Sequence, residues 1–162
     1  MHIYAKNIST LSIFASLIFL AFTAVLYVTR NNVRMGKTIS AILFFVAIYG
    51  VLSYAVLGRT PSDNHTFVFA ASKGSEFYRE MFMNALLYYP LGLSLTVLIG
   101  PWSILISFIL SILIELWQYL AGTGVAQGTD VIMNSLGAAI GALPWIIVYF
   151  LKKHTSAESG SD

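Results

Sequence analysis

SILIELWQYLAGTGVAQGTDVIMNSLGAAIG, residues 111–141, is the stretch whose reading decides the fold. A hydrophobic helix carries Glu115 and Gln118 near its end. A turn holding Gly122, Gly124 and Gly128 follows, and a second hydrophobic helix opens with Asp130 and Asn134. Carboxylates and amides are costly at membrane depth, so in such a setting they mark a site.

The rest of the 162 residues supports a membrane setting. Hydrophobic residues make up 57% of the chain and charged residues 10%, whereas soluble domains carry about a quarter charged residues. The mean hydropathy is +0.78. So little polar surface cannot cover a soluble globule, and the chain is expected to be an integral membrane protein. A net charge of +2 without clustered Lys and Arg offers nucleic acid no footprint. With no cysteine, thiolate chemistry and Cys-ligated metal are excluded.

Apolar runs of about 20 residues are needed to span a bilayer. The first covers Thr10–Thr29. It is too long for a signal peptide and lacks a small-x-small cleavage site behind it. Arg30, Arg34 and Lys37 form a basic hinge, and a second span follows over about Ile39–Leu57. Thr60–Arg79 reads as a polar loop whose apolar centre, Phe67–Ala71, lies on or dips into the interface. A third span runs from near Glu80 to Gly100, Pro101-Trp102 makes a turn, and the fourth covers Trp102–Leu120. Ala121–Thr129 is read as a turn before a fifth span, Asp130–Leu151, stopped by Lys152 and Lys153. The expected fold class is all-α: a polytopic bundle of five transmembrane helices. Its expected divisions are an N-terminal helix with its hinge (1–38), the main membrane domain (39–153) and a polar, disordered tail (154–162).

Orientation follows the basic residues flanking the spans. Five spans put Arg30, Arg34, Lys37, Lys152 and Lys153 on one side. Lys6, Arg59, Lys73 and Arg79 lie on the other, diluted by acids. The expectation is an outside N-terminus and a cytoplasmic C-terminus. The same count of crossings gathers Arg59, Asn84, Glu115, Gln118, Asp130 and Asn134 near one face of the membrane, the extracytoplasmic one on this assignment, and Tyr88 joins them as a candidate ligand-binding residue.

Each of these residues has a plainer reading beside the functional one. Glu115 lies about 7–8 Å below Leu120 at ~1.5 Å of helix rise per residue. An unpaired charge there costs about 2–3 kcal/mol. It either takes part in a ligand or proton role, or pairs with Arg59 or Arg79 to lock the bundle. Ser107, Ser111, Glu115 and Gln118 (or Tyr119) share one helical stripe by their three-and-four spacing, so that stripe faces other helices. Asp130 and Asn134 share a face, and either Thr129 or Asp130 can act as a helix cap. Asn134, one turn deeper, needs a side-chain partner, with Glu115 or Gln118 well placed. Gly137-x-x-x-Gly141 continues that face and permits close backbone approach, serving either folding or a homo-oligomer. Asn84, Tyr88 and Gly92 form a stripe on the third span, which Pro90 should kink. Arg59 either joins the cluster or snorkels to the interface. His65 is a lone loop histidine, so no His-based metal site and no cofactor is expected.

The order and spacing of three blocks resemble the VanZ-like family of small membrane proteins, named for a teicoplanin-resistance protein. The blocks are Asn84-x5-Pro90-Leu91-Gly92, then Ser111-x3-Glu115-x2-Gln118, then Asp130-x3-Asn134-x2-Gly137-x3-Gly141. Together they cover about Arg59–Ile146, which makes the first span look like an addition to a four-helix core. Many relatives of this kind carry an Arg and further Asp residues in the turn before the last helix. Here that turn reads Gly124-Val-Ala-Gln127-Gly-Thr129, which counts against an Arg- or metal-dependent role. The resemblance implies a cell-envelope role in lowering susceptibility to lipoglycopeptides such as teicoplanin.

The leading expectation is a non-enzymatic protein whose polar pocket binds a membrane lipid headgroup or a lipid-linked cell-wall component. The carboxylates would accept hydrogen bonds there and the amides would both donate and accept. One alternative is an intramembrane enzyme using Glu115 and Asp130 as acid and base on a lipid-linked precursor. Another is a small transporter or flippase, with Pro90 and the glycine pairs permitting helix movement.

Overall fold

The computed structural model describes residues 32–57, 59–61, 63–70 and 74–158. The expected first span and the end of the tail fall outside these residues. Among those described, four helices are long and apolar enough to cross a membrane. They are α1 (Val33–Leu52), which runs on into a π-helical turn at Ser53–Leu57, α2 (Gly74–Ile99), α3 (Trp102–Ala121) and α4 (Gly128–Glu158).

Asn32 caps α1, its side chain accepting from the Met35 N–H at 3.1 Å. This satisfies one of the donors that a helix start leaves open. Gly100 (φ +69°) reverses the chain between α2 and α3, where its left-handed backbone favours a residue without a Cβ. Gly122 does the same at the C-cap of α3, with its N–H directed to the Gln118 and Tyr119 carbonyls. Inside α2, Pro90 removes one backbone donor, and Ser94 Oγ hydrogen-bonds back to the Pro90 carbonyl at 2.8 Å.

The bundle is built with its polar side inward. α3 buries Ser103, Ser107, Ser111, Glu115 and Gln118, while Leu105, Phe108, Ile112, Leu116 and Leu120 on its other faces are exposed. In lipid the apolar effect does not drive helices together, so small and polar residues fill the seams and large apolar ones face the acyl chains. The tightest seam joins α2 to α4. A Cβ on Gly92 would collide with the Ala138 backbone, one on Gly137 with the Ala85 backbone, and one on Gly141 with the Tyr89 carbonyl. The Gly137/Gly141 face is therefore filled by α2 of the same chain.

Two segments differ from the sequence expectation. Thr60–Arg79 is not all loop, and Ala121–Thr129 is not a simple turn. Asn64–Val68 (β1) and Thr123–Gln127 (β2) pair as a parallel two-stranded ribbon, in register from Asn64↔Thr123 to Val68↔Gln127. The Phe69 carbonyl then accepts from the Thr129 N–H at 2.9 Å, so the β1 end satisfies a donor in the first turn of α4. Backbone groups near lipid must find partners within the protein, and these two loops supply partners for each other. α2 also starts at Gly74 rather than near Glu80, and α4 starts at Gly128 rather than Asp130 and runs past Lys152 and Lys153 to Glu158, so residues 154–158 are helical rather than part of a disordered tail.

Candidate functional site

The ribbon sits at the end of the bundle where the π-turn of α1, the C-terminal part of α3 and the start of α4 meet. Beneath it lies a cavity of about 20 Å³. Its walls include all seven residues singled out in the sequence: Arg59, Asn84, Tyr88, Glu115, Gln118, Asp130 and Asn134. That volume holds about one water-sized group. Tyr54, Ala55, Leu87 and Ile114 also line it.

Gln118 is 2% exposed. Its Nε2 donates to the Ala55 carbonyl at 3.0 Å, which belongs to the widened turn ending α1. Helix ends leave carbonyls without intrahelical partners, and this side chain from α3 supplies one. A carbonyl can only accept, so Gln118 must present Nε2 to Ala55. Its Oε1 is then left buried with no hydrogen-bond partner.

Asn134 is 5% exposed. Its Nδ2 donates to Ser111 Oγ at 2.9 Å, bridging α4 to α3. The expected partner was Glu115 or Gln118. Ser111, on the same stripe one turn before Glu115, takes that place. Asn134 Oδ1 is also buried and unpartnered. So is the Tyr88 hydroxyl, which lies near Ser111 without completing a hydrogen bond to it. Buried polar atoms are nearly always partnered, and here three unpartnered ones line a single small cavity.

The two carboxylates come from different helices. Glu115 Oε2 accepts the Gln127 backbone N–H at 2.7 Å. The acid of α3 is thus fixed by the last residue of β2, a partner that no residue type announces in the sequence. Asp130 sits in the first turn of α4, where a negative charge meets the positive end of the helix dipole. It lies beside the Asn84 side chain of α2, and Glu80 lies within electrostatic reach of it. Of the two arginines considered as charge partners, Arg79 is exposed and does not line the cavity, whereas half-buried Arg59 does. The Arg59 guanidinium lies against Gly124 of β2, filling the space where a Cβ would stand. From there its charge reaches both Glu115 and Asp130.

His65, the lone loop histidine, holds the ribbon to the bundle. Its Nδ1 lies 2.7 Å from the Tyr119 carbonyl, one of the open acceptors at the end of α3. Since that carbonyl can only accept, Nδ1 carries the proton. Nothing in the sequence could have signalled this contact, because the partner is backbone on another element. Ser111 was legible as part of the polar stripe, and only its partner was not. Among the described residues, no group of three or more His, Cys, Asp or Glu side chains is arranged to hold a metal ion.

A family model described as VanZ/LLP1 matches residues 2–150 of the chain. The match is wider than the Arg59–Ile146 stretch that carries the resemblance. It takes in the N-terminal apolar run, which therefore lies within the extent of the family rather than being added to it. No curated protein and no solved structure matches the chain.

Proposed function

The chain belongs to the VanZ/LLP1 family, and from that premise we propose that it lowers susceptibility to lipoglycopeptides such as teicoplanin by engaging a lipid headgroup or lipid-linked cell-wall component at this polar site. It is a VanZ-type membrane protein of the cell envelope. The observation that carries the reading is one cavity lined by Arg59, Asn84, Tyr88, Glu115, Gln118, Asp130 and Asn134, of which Tyr88, Gln118 and Asn134 each keep an unpartnered buried polar atom.

The cavity is smaller than any headgroup. The tip of the ligand enters it, and the remainder lies across Arg59 and the ribbon at the mouth. Arg59 would meet a phosphate there with charge-assisted hydrogen bonds. Occupying or covering a surface target in this way reduces the access of a large antibiotic to it. The balance of basic residues puts the site in the outer leaflet, and a reporter fused after Lys153 should then prove cytoplasmic.

The test is expression of wild type, Glu115→Gln and Asn134→Ala in a susceptible host, with membrane levels matched. Teicoplanin sensitivity should fall with wild type and return toward the parental value in both variants. Equal protection by all three would refute the role of the site.

A further inference from the structure

Resting on the headgroup reading above, we propose that the group entering the cavity is a primary ammonium, carried by a lipid headgroup or by a free amine. The geometry presents acceptors and a surplus of negative charge in a space of one ammonium's size.

The acceptors are fixed by their neighbours. Gln118 has committed its Nε2 to Ala55 and offers Oε1. Asn134 has committed its Nδ2 to Ser111 and offers Oδ1. The Tyr88 hydroxyl accepts as readily as it donates, and the Glu115 carboxylate only accepts when ionised. A primary ammonium brings three donors and no acceptor, which complements this set. A phosphate or carboxylate would put acceptors against acceptors.

Charge points the same way. Glu115 and Asp130 line the cavity, with Arg59 the one cation among its described lining residues. With both carboxylates ionised, two of them against one guanidinium leave room for one more positive charge.

Size then selects among cations. A space of about 20 Å³ admits a water-sized group. It does not admit a trimethylammonium, whose recognition calls for a cage of aromatic faces. Among the described residues, the aromatic ones lining this cavity are Tyr54 and Tyr88. Each methyl added to the nitrogen also removes a donor and leaves one acceptor of the cavity unpaired.

The experiment is native mass spectrometry of the purified full chain with phosphatidylethanolamine, its N-methyl and N,N-dimethyl derivatives and phosphatidylcholine, all with identical acyl chains. Phosphatidylethanolamine should exceed phosphatidylcholine by about tenfold in binding constant, equivalent to ~1.4 kcal/mol. The two intermediates should fall between them, and Glu115→Gln should flatten the series. Free ethanolamine that competes assigns recognition to the amine alone. Failure to compete assigns it to the amine held on a lipid, and either result agrees with the proposal. Equal binding across the wild-type series overturns it, a comparison that needs no variant to fold. Preference for phosphatidylglycerol also overturns it, while sparing the headgroup reading through Arg59. Headgroup-independent binding that Glu115→Gln leaves unchanged would remove both.

Discussion

Replacing Gly137 by alanine adds a single methyl group, yet it should be among the most damaging small changes in this protein. The new Cβ would be driven into the Ala85 carbonyl group and Cα across the α2/α4 seam. A flexible side chain could swing aside, but the atoms met here are backbone. Relief requires α4 to move away from α2, which also loosens the contacts at Gly92 and Gly141. Overpacking a filled core costs about 1–3 kcal/mol. A rigid obstacle on a helix seam puts Gly137→Ala at the upper end, about 2–3 kcal/mol. Gly50→Ala is the control, because no described residue lies within 4 Å of a Cβ at Gly50 on α1. It should fall within about 0.5 kcal/mol of wild type, as for surface changes that touch no special feature. Reversible unfolding in mixed micelles, followed by circular dichroism, measures both. A Gly137→Ala variant no less stable than Gly50→Ala would refute the close α2/α4 packing, and with it the reason Asn84 and Asp130 meet.

Gln118→Leu removes the donor from the Ala55 carbonyl and should destabilise the bundle by about 1–3 kcal/mol, the cost of an acceptor left buried and unpaired. The same unfolding assay checks it, and an unchanged midpoint would mean that the π-turn does not depend on α3. His65→Ala should release the ribbon from the end of α3 and cost about 1 kcal/mol, as for an ordinary hydrogen bond. Its clearer readout is hydrogen exchange: faster exchange over residues 64–68 and 123–127 than over α2 and α4 is expected, and uniform protection would count against the clamp.

The spans were legible because each is an apolar run of bilayer length interrupted by Pro, Gly or charge, as at Gly100-Pro101. The helix that buries its serines and exposes its leucines could also be read from the spacing of Ser107, Ser111, Glu115 and Gln118. The convergence of six of the seven cavity residues followed from counting crossings, since alternate helix ends must share a face. The ribbon was not legible. NHTFV and TGVAQ are short, show no alternation and pair through backbone groups that every residue possesses. The same cause hid the partners of Glu115, Gln118 and His65, which are the Gln127 N–H and the Ala55 and Tyr119 carbonyls. Where the partner was a side chain, as with Asn134 and Ser111, the stripe was visible and only the pairing was mistaken. The expected first span lies outside the described residues.

The absence of cysteine from the chain makes one measurement unusually clean. Paired substitution of Asn84 and Asp130 by cysteine places single thiols on α2 and α4 where the native side chains lie side by side on one cavity. Treatment of native membranes with a short thiol crosslinker should join this pair efficiently. A pair on outward faces, Phe82→Cys with Leu136→Cys, both exposed, serves as the comparison and should react far less. Efficient joining of Asn84→Cys to Asp130→Cys alone is the predicted result. Crosslinking no better than that of the outward pair would contradict the convergence of buried polar groups from separate helices on one site.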